Sequence, residues 1–153
     1  MFEKITLHTP RTFVPDDLNA GDWAALAPLF EQLEQQLSAA ADAVQLEQAI
    51  LNWEELSAAI AEESSKRTIA MTCQTDDKTA EQAYLDFVEQ IEPEVKTSSF
   101  RLAKALADHP HRDGLPAKRK LDVFTSGSIC STKSRYACSA VLSSVWQLSL
   151  IHI

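Results

Sequence analysis

Glycine and proline are scarce in this chain, 3 and 6 among 153 residues. An all-β design of this length needs a turn signal every ten residues or so, and that supply is missing. Cysteine is scarce too. Cys73, Cys130 and Cys138 cannot all pair with one another, and no pattern of basic start, apolar centre and small-residue cleavage site opens the chain. A reducing, cytoplasmic setting is the expectation. Basic residues are few, 14 against 22 acids, which argues against a nucleic-acid or anionic-membrane partner, since phosphate contacts need clustered Lys and Arg. Long apolar runs are also missing. The last 17 residues, "ACSAVLSSVWQLSLIHI", are uncharged but contain four Ser, a Gln and a His. They fall short of the roughly 20 mainly apolar residues of a spanning helix, so no membrane anchor is read here.

Familiar chemical motifs are absent as well. None of His8, His109, His111 and His152 is followed by Glu, so the HExxH zinc motif does not occur, and neither do GxSxG, a P-loop or GxGxxG. A zinc site from Cys130, Cys138 and one of His109, His111 or His152 is conceivable by ligand type. The spacing of eight between the cysteines, however, is not that of a zinc finger or ribbon, and unpaired thiols are the plainer reading. His109 and His111 flank Pro110 at a helix end, where imidazole meets the C-terminal dipole. The acid pairs Asp16–Asp17 and Asp76–Asp77 read as caps and solvated faces, not as catalytic carboxylates. No catalytic and no metal-binding residue is assigned.

What is present is a helix-forming composition rich in Ala, Leu, Glu and Gln. The opening, with Pro10, Pro15 and Gly21, reads as an extended arm over residues 1–21. Asp22 caps a short turn carrying Trp23 and Leu26, and Pro28 suits the first turn of the next helix, whose stripe is Leu29, Phe30, Leu33 and Leu37. A long second helix starts near Asp42. Leu46, Ile50, Trp53, Leu56 and Ile60 define its face, and it continues to about Cys73. "TDD" at Thr75–Asp77 stops it and caps a third helix bearing Ala80, Tyr84, Phe87, Val88, Ile91, Val95, Leu102 and Leu106. Pro93 predicts a kink or short break near Glu92, and "HPHRDGLP" ends the pattern. Trp23 and Trp53 belong to the core. The expected fold is all-α: a long antiparallel helical hairpin plus a shorter N-terminal helix, occupying residues 22–116.

After Pro116 the character changes. Residues 1–117 carry a net charge of −12, residues 118–153 a net of +4, and the apolar positions of the latter keep neither a helical nor a strand period. A disordered or poorly packed tail over 117–153 is expected. Its last six residues, Leu148–Ile153, read LSLIHI, which is the translation of the transposase mosaic-end adapter CTGTCTCTTATACACATCT. A frameshift or junction between about Pro116 and Phe124, followed by read-through into adapter, accounts for the change. Trp146 falls in this stretch.

A resemblance adds to these readings. "RTFVPDDLNAGDWAALAPLFEQL", then "ILNWEELSAAIAEESSKRTIAMTCQTDDKTAEQAYLDFVEQIEP", then "HPHRDGLP", together about Arg11 to Pro116, resemble the N-terminal region of oligoendopeptidase F and related thimet-oligopeptidase-like zinc metallopeptidases. The most specific piece runs from Trp53 to Pro93. The resemblance implies an almost wholly helical, two-lobed parent enzyme that cleaves oligopeptides in a deep channel partly walled by the N-terminal helices. Its zinc would be held by HExxH and a downstream glutamate, in a C-terminal catalytic region with no counterpart here. The chain by itself is then expected to be inactive and to hold no cofactor. The alternative from the residues alone is a non-enzymatic helical interaction or adaptor module.

Overall fold

A computed structural model describes residues 11–73 and 76–116. Of these, 78% are helical, and no strand occurs among them. The expected tail over 117–153, the first ten residues of the arm, Thr75, and the positions Cys130, Cys138, Trp146 and His152 lie outside the described residues.

Helix α1 runs Trp23–Ala39. Asp22 caps it by accepting from Ala24 N–H at 2.9 Å, which satisfies one of the amides a helix start leaves unpaired. The expected short turn followed by a separate helix at Pro28 is thus one continuous helix, with Pro28 inside it. Pro28 is near enough to the start that only one backbone bond is forfeited, and the buried stripe Leu26, Phe30, Leu33 and Leu37 spans it. Because the helix begins earlier, Leu26 takes the core position, and Leu29 packs only at the edge.

Helix α2, Ala43–Cys73, is the continuous 31-residue helix that its sequence predicts. Asp42 Oδ1 accepts from Gln45 N–H at 2.8 Å, while Gln45 Oε1 accepts from Ala41 N–H at 3.0 Å, a reciprocal arrangement close to a capping box. Its buried face ends at Ile60. Beyond that, "EESSKRT" continues the helix without contributing to the core.

The third helix is broken in register. Helix α3, Lys78–Asp86, is capped by Asp77, which accepts from Thr79 and Ala80 N–H. A π-helical turn, Phe87–Ile91, follows, and α4 runs Glu92–Ala107. Glu92 N–H donates to the Phe87 carbonyl, five residues back. Pro93 lacks a donor, and its ring would strike the carbonyl four residues earlier, that of Glu89. Widening the turn that contains Glu89 relieves that clash. The kink expected near Glu92 therefore appears as a π turn placed immediately before it.

The turn also marks a change of partner. α3 packs against α2, whereas α4 packs chiefly against α1, which in turn packs against α2. The hairpin closes at its tip, and α1 is wedged between its two arms at the other end. A short 3-10 turn, Arg112–Gly114, then returns the chain to the start of α2, where a Cβ on Gly114 would lie 2.9 Å from Ala43 Cβ. Leu115 is buried there. One apolar cluster joins α1, α2, the π turn and α4, including Trp53, Phe87 and Leu102, with Trp23 packed at its edge, 5.7 Å from the Phe30 ring.

Truncating Leu33, which is fully buried, to Ala should cost about 2–5 kcal/mol. Val44→Ala, at a residue 75% exposed, should change stability by less than about 0.5 kcal/mol. Urea unfolding of both variants provides the comparison.

Candidate functional site

Polar side chains are drawn together at three places. The first is Arg67, half-buried on α2 beyond the end of the core face. Its Nε pairs with Glu63 Oε1 at 2.8 Å, one turn away on the same helix. Its Nη1 donates to the Ala83 carbonyl on α3 at 2.7 Å, and the guanidinium carbon stands 5.3 Å from the centre of the Phe87 ring. The Ala83 carbonyl also accepts from Phe87 N–H, at the entry to the π turn. Arginine's planar, multi-donor head can serve an acid, a carbonyl and an aromatic face at once, which lysine cannot. The guanidinium also presses on Gly21, where a Cβ would overlap Nη2.

The second is Glu55, on the outer face of α2. Oε1 accepts from Phe13 N–H at 3.0 Å and Val14 N–H at 2.8 Å, and Oε2 accepts from Thr12 Oγ1 at 3.2 Å. Residues 11–22 therefore lie along α2 with Val14 and Ala20 buried, and they turn twice, through Pro15–Leu18 and Asn19–Asp22. Burial pulls the Glu55 carboxyl upward, but the hydrogen bonds from Val14, Phe13 and Thr12 together outweigh it and hold the group below its ordinary value. Arg11 extends the latch by pairing with Glu62 at 3.0 Å. Glu62 is lowered in turn, first by its hydrogen bond from Lys66 and the attraction of that charge, then by Arg11.

The third lies on α1. Gln36 Oε1 accepts from Asn52 Nδ2 at 2.9 Å, and Asn52 Oδ1 accepts from Gln48 Nε2 at 3.1 Å, so the buried Asn52 is satisfied across the α1–α2 interface. On the α4 side, Arg101 Nε stands 3.0 Å from Glu34 Oε1. That oxygen is buried and accepts no aligned hydrogen bond, so the contact is one of charge alone. Glu31, Glu34, Gln35, Ser38 and Ala39 line a shallow, open depression along this helix.

Among the described residues no group of three His, Cys, Asp or Glu side chains is placed to hold a metal, so they do not fit a zinc site. His109 and His111 face one another with rings 5.6 Å apart, and His109 Nδ1 accepts from His111 N–H at 3.2 Å, a local turn contact. Asp77 is a helix cap, and Asp16 sits in a turn at the surface. Cys73 is a free, exposed thiol. No helix among the described residues is long and apolar enough to cross a membrane. Sequence reasoning missed Arg67 and Glu55. Each stands in a run of charged or polar residues on a long helix, with nothing in its spacing to separate it from solvated neighbours.

These constellations hold elements to one another, which marks the described residues as an all-helical structural unit. Comparison with known families agrees: the sequence model described as the Peptidase M3 N-terminal domain matches residues 16–127. The chain belongs to the peptidase M3 family and carries its N-terminal domain. The match begins in the turn before α1 and ends within the stretch expected to be tail. No curated protein and no solved structure matches the chain.

Two outcomes test the polar constellations. Gly21→Ala should destabilise the protein in the presence of Arg67 but have little effect in an Arg67→Ala background, giving a coupling of about 0.5–3 kcal/mol in a double-mutant cycle. For Glu55, a depressed folded pKa means that its stabilisation is complete above the ordinary glutamate value of about 4.3 and is lost as pH falls through the folded value. Amide exchange at Phe13 and Val14 should therefore accelerate below that pH, after correction for intrinsic rates, and Glu55→Gln should remove most of this pH dependence.

Proposed function

We propose that this chain is the N-terminal portion of a zinc metallopeptidase of the oligoendopeptidase type, acting in the cytoplasm on short peptides and inactive without its catalytic region. The observation that carries the reading is the family match over residues 16–127 on an all-helical unit. In the parent enzyme these helices help to wall the channel and limit the size of peptide admitted. When bound in the catalytic region, zinc would activate a water for attack on the peptide carbonyl, with the motif glutamate as base. The residues described here take no part in that step. Their role is to hold a wall in place, through the packing of α1 between α2 and α4 and the latches at Glu55 and Arg67.

A second reading, a self-sufficient helical interaction module, is favoured by one feature. The apolar cluster runs continuously through α1, α2, the π turn and α4 and takes in Leu115. A single cooperative unfolding transition of the isolated chain would support that autonomy, whereas aggregation or a broad transition supports a lobe that needs the remainder of an enzyme.

The parent locus tests the peptidase reading directly. Sequencing past the codon for Pro116 should reveal an intact frame that encodes HExxH and, further on, a glutamate ligand, and the adapter-like codons of Leu148–Ile153 should be missing. A continuous frame without HExxH would refute it. The chain as given should show no hydrolysis of a quenched fluorescent peptide, with or without added zinc.

A further inference from the structure

α3 is attached to the molecule differently from every other helix. The buried face of α2 ends at Ile60, α3 buries no side chain, and no residue of α3 belongs to the apolar cluster. Beyond Ile60 the sequence also weakens α2 from within. Ser65, Thr68 and Thr72 each donate a side-chain hydroxyl to the carbonyl four residues back, at 2.8, 2.9 and 2.9 Å, which competes with the helical ladder. α3 has nine residues, whereas a helix without neighbours is marginal in water below about 12–15 residues. Its attachment to α2 is therefore what keeps it helical. That attachment centres on Arg67, whose Nη1 donates to the Ala83 carbonyl at 2.7 Å while Glu63, 2.8 Å from Nε, fixes the guanidinium. The same carbonyl accepts from Phe87 N–H, and Phe87 is where burial resumes.

We propose that α3 is a releasable segment that leaves α2 and unwinds as a unit while α1, α4 and α2 as far as Ile60 stay folded, and that Arg67 is the latch controlling its release. The boundary follows from burial. Nothing is buried on the α3 side of the π turn, whereas Phe87 and Ile91 within it and Val95, Leu102 and Leu106 beyond it are held in the core. The bond from Glu92 N–H to the Phe87 carbonyl uses no α3 atom, so α4 keeps its start when α3 is gone. Release gives up the bond from Arg67 to Ala83 and the contacts of the half-buried Ala80, Ala83 and Tyr84, and none of the apolar cluster. An opening of that size lies well below global unfolding in free energy. This inference does not depend on the peptidase reading.

Native-state amide hydrogen exchange of the full chain, corrected for intrinsic rates, tests this. The amides of Ala83–Asp86 on α3 should exchange about a hundredfold or more faster than those of Trp53 and Leu56 in the core of α2. Arg67→Ala should speed the α3 amides by about a further tenfold and leave Trp53 and Leu56 unchanged. A mild core truncation, Ile50→Val, should do the reverse, speeding Trp53 and Leu56 about two- to tenfold with no effect on α3. Exchange of α3 as slow as that of the core would overturn the proposal, as would equal acceleration of both regions by Ile50→Val, since either means that α3 opens only when the whole molecule unfolds. Unchanged α3 exchange in Arg67→Ala, or equal acceleration of α3 and the core by that variant, would overturn Arg67 as the latch.

Discussion

Pro93 cannot donate a backbone hydrogen bond, and its ring cannot tolerate the carbonyl of Glu89 in α-helical register. A helix that must run from Lys78 to Ala107 through that position has to break or widen. It widens, in the π turn Phe87–Ile91. The same turn is where the third helix gives up α2 as its partner and takes α1. The space between α2 and α4 that α1 fills, with Leu26, Phe30, Leu33 and Leu37 buried in it, thus depends on a proline in the first turn of α4.

The change of partner leaves the tip of the hairpin thin. α3 has no buried residue, and α2 contributes none beyond Ile60. Two helices with so little apolar contact need another source of cohesion, and Arg67 provides it by grasping the Ala83 carbonyl and covering the Phe87 ring. Phe87, almost wholly buried at the entry to the π turn, is the point where the polar fastening of the tip meets the apolar core. Gly21 adds the loop before α1 to the same junction, since a side chain there would displace the guanidinium. Loop, hairpin tip and π turn therefore share a single side chain, and changes at any of them should be felt at the others.

Helix number, the length of α2 and most of the core could be read from the spacing of Leu46, Ile50, Trp53, Leu56 and Ile60 and from the caps at Asp42 and Asp77, because period and caps are local signals. The start of α1 was misjudged because Pro28 is a stronger local signal than Asp22, yet the packing of Leu26 decides where the helix begins. The burial of Ser98 and Ser99 was also illegible. Small hydroxyl residues read as surface, and only the close approach of another element puts them inside. Glu55 and Arg67 escaped for a related reason: their partners are backbone groups, the Phe13 and Val14 amides and the Ala83 carbonyl, which have no sequence signature. The family resemblance over Arg11 to Pro116 reached further than the local rules, since it drew on many residues in order and not on any one period.

Single exposed apolar residues are ordinary on a protein surface and ask for no explanation. Phe100 on α4 and Leu85 on α3, 71% and 39% exposed, are of that kind, being on different elements. Val44, Leu51 and Ile69 differ because they recur on one line of one helix, opposite the face that builds the core. A helix apolar on two faces is expected to be covered on both. α1 and α3 cover the first, and residues 11–14, fastened by Glu55 and Glu62, begin to cover the second. The two carboxylates are what make this possible on an otherwise apolar stripe. They fix the position of residues 11–14 by hydrogen bonds and charge.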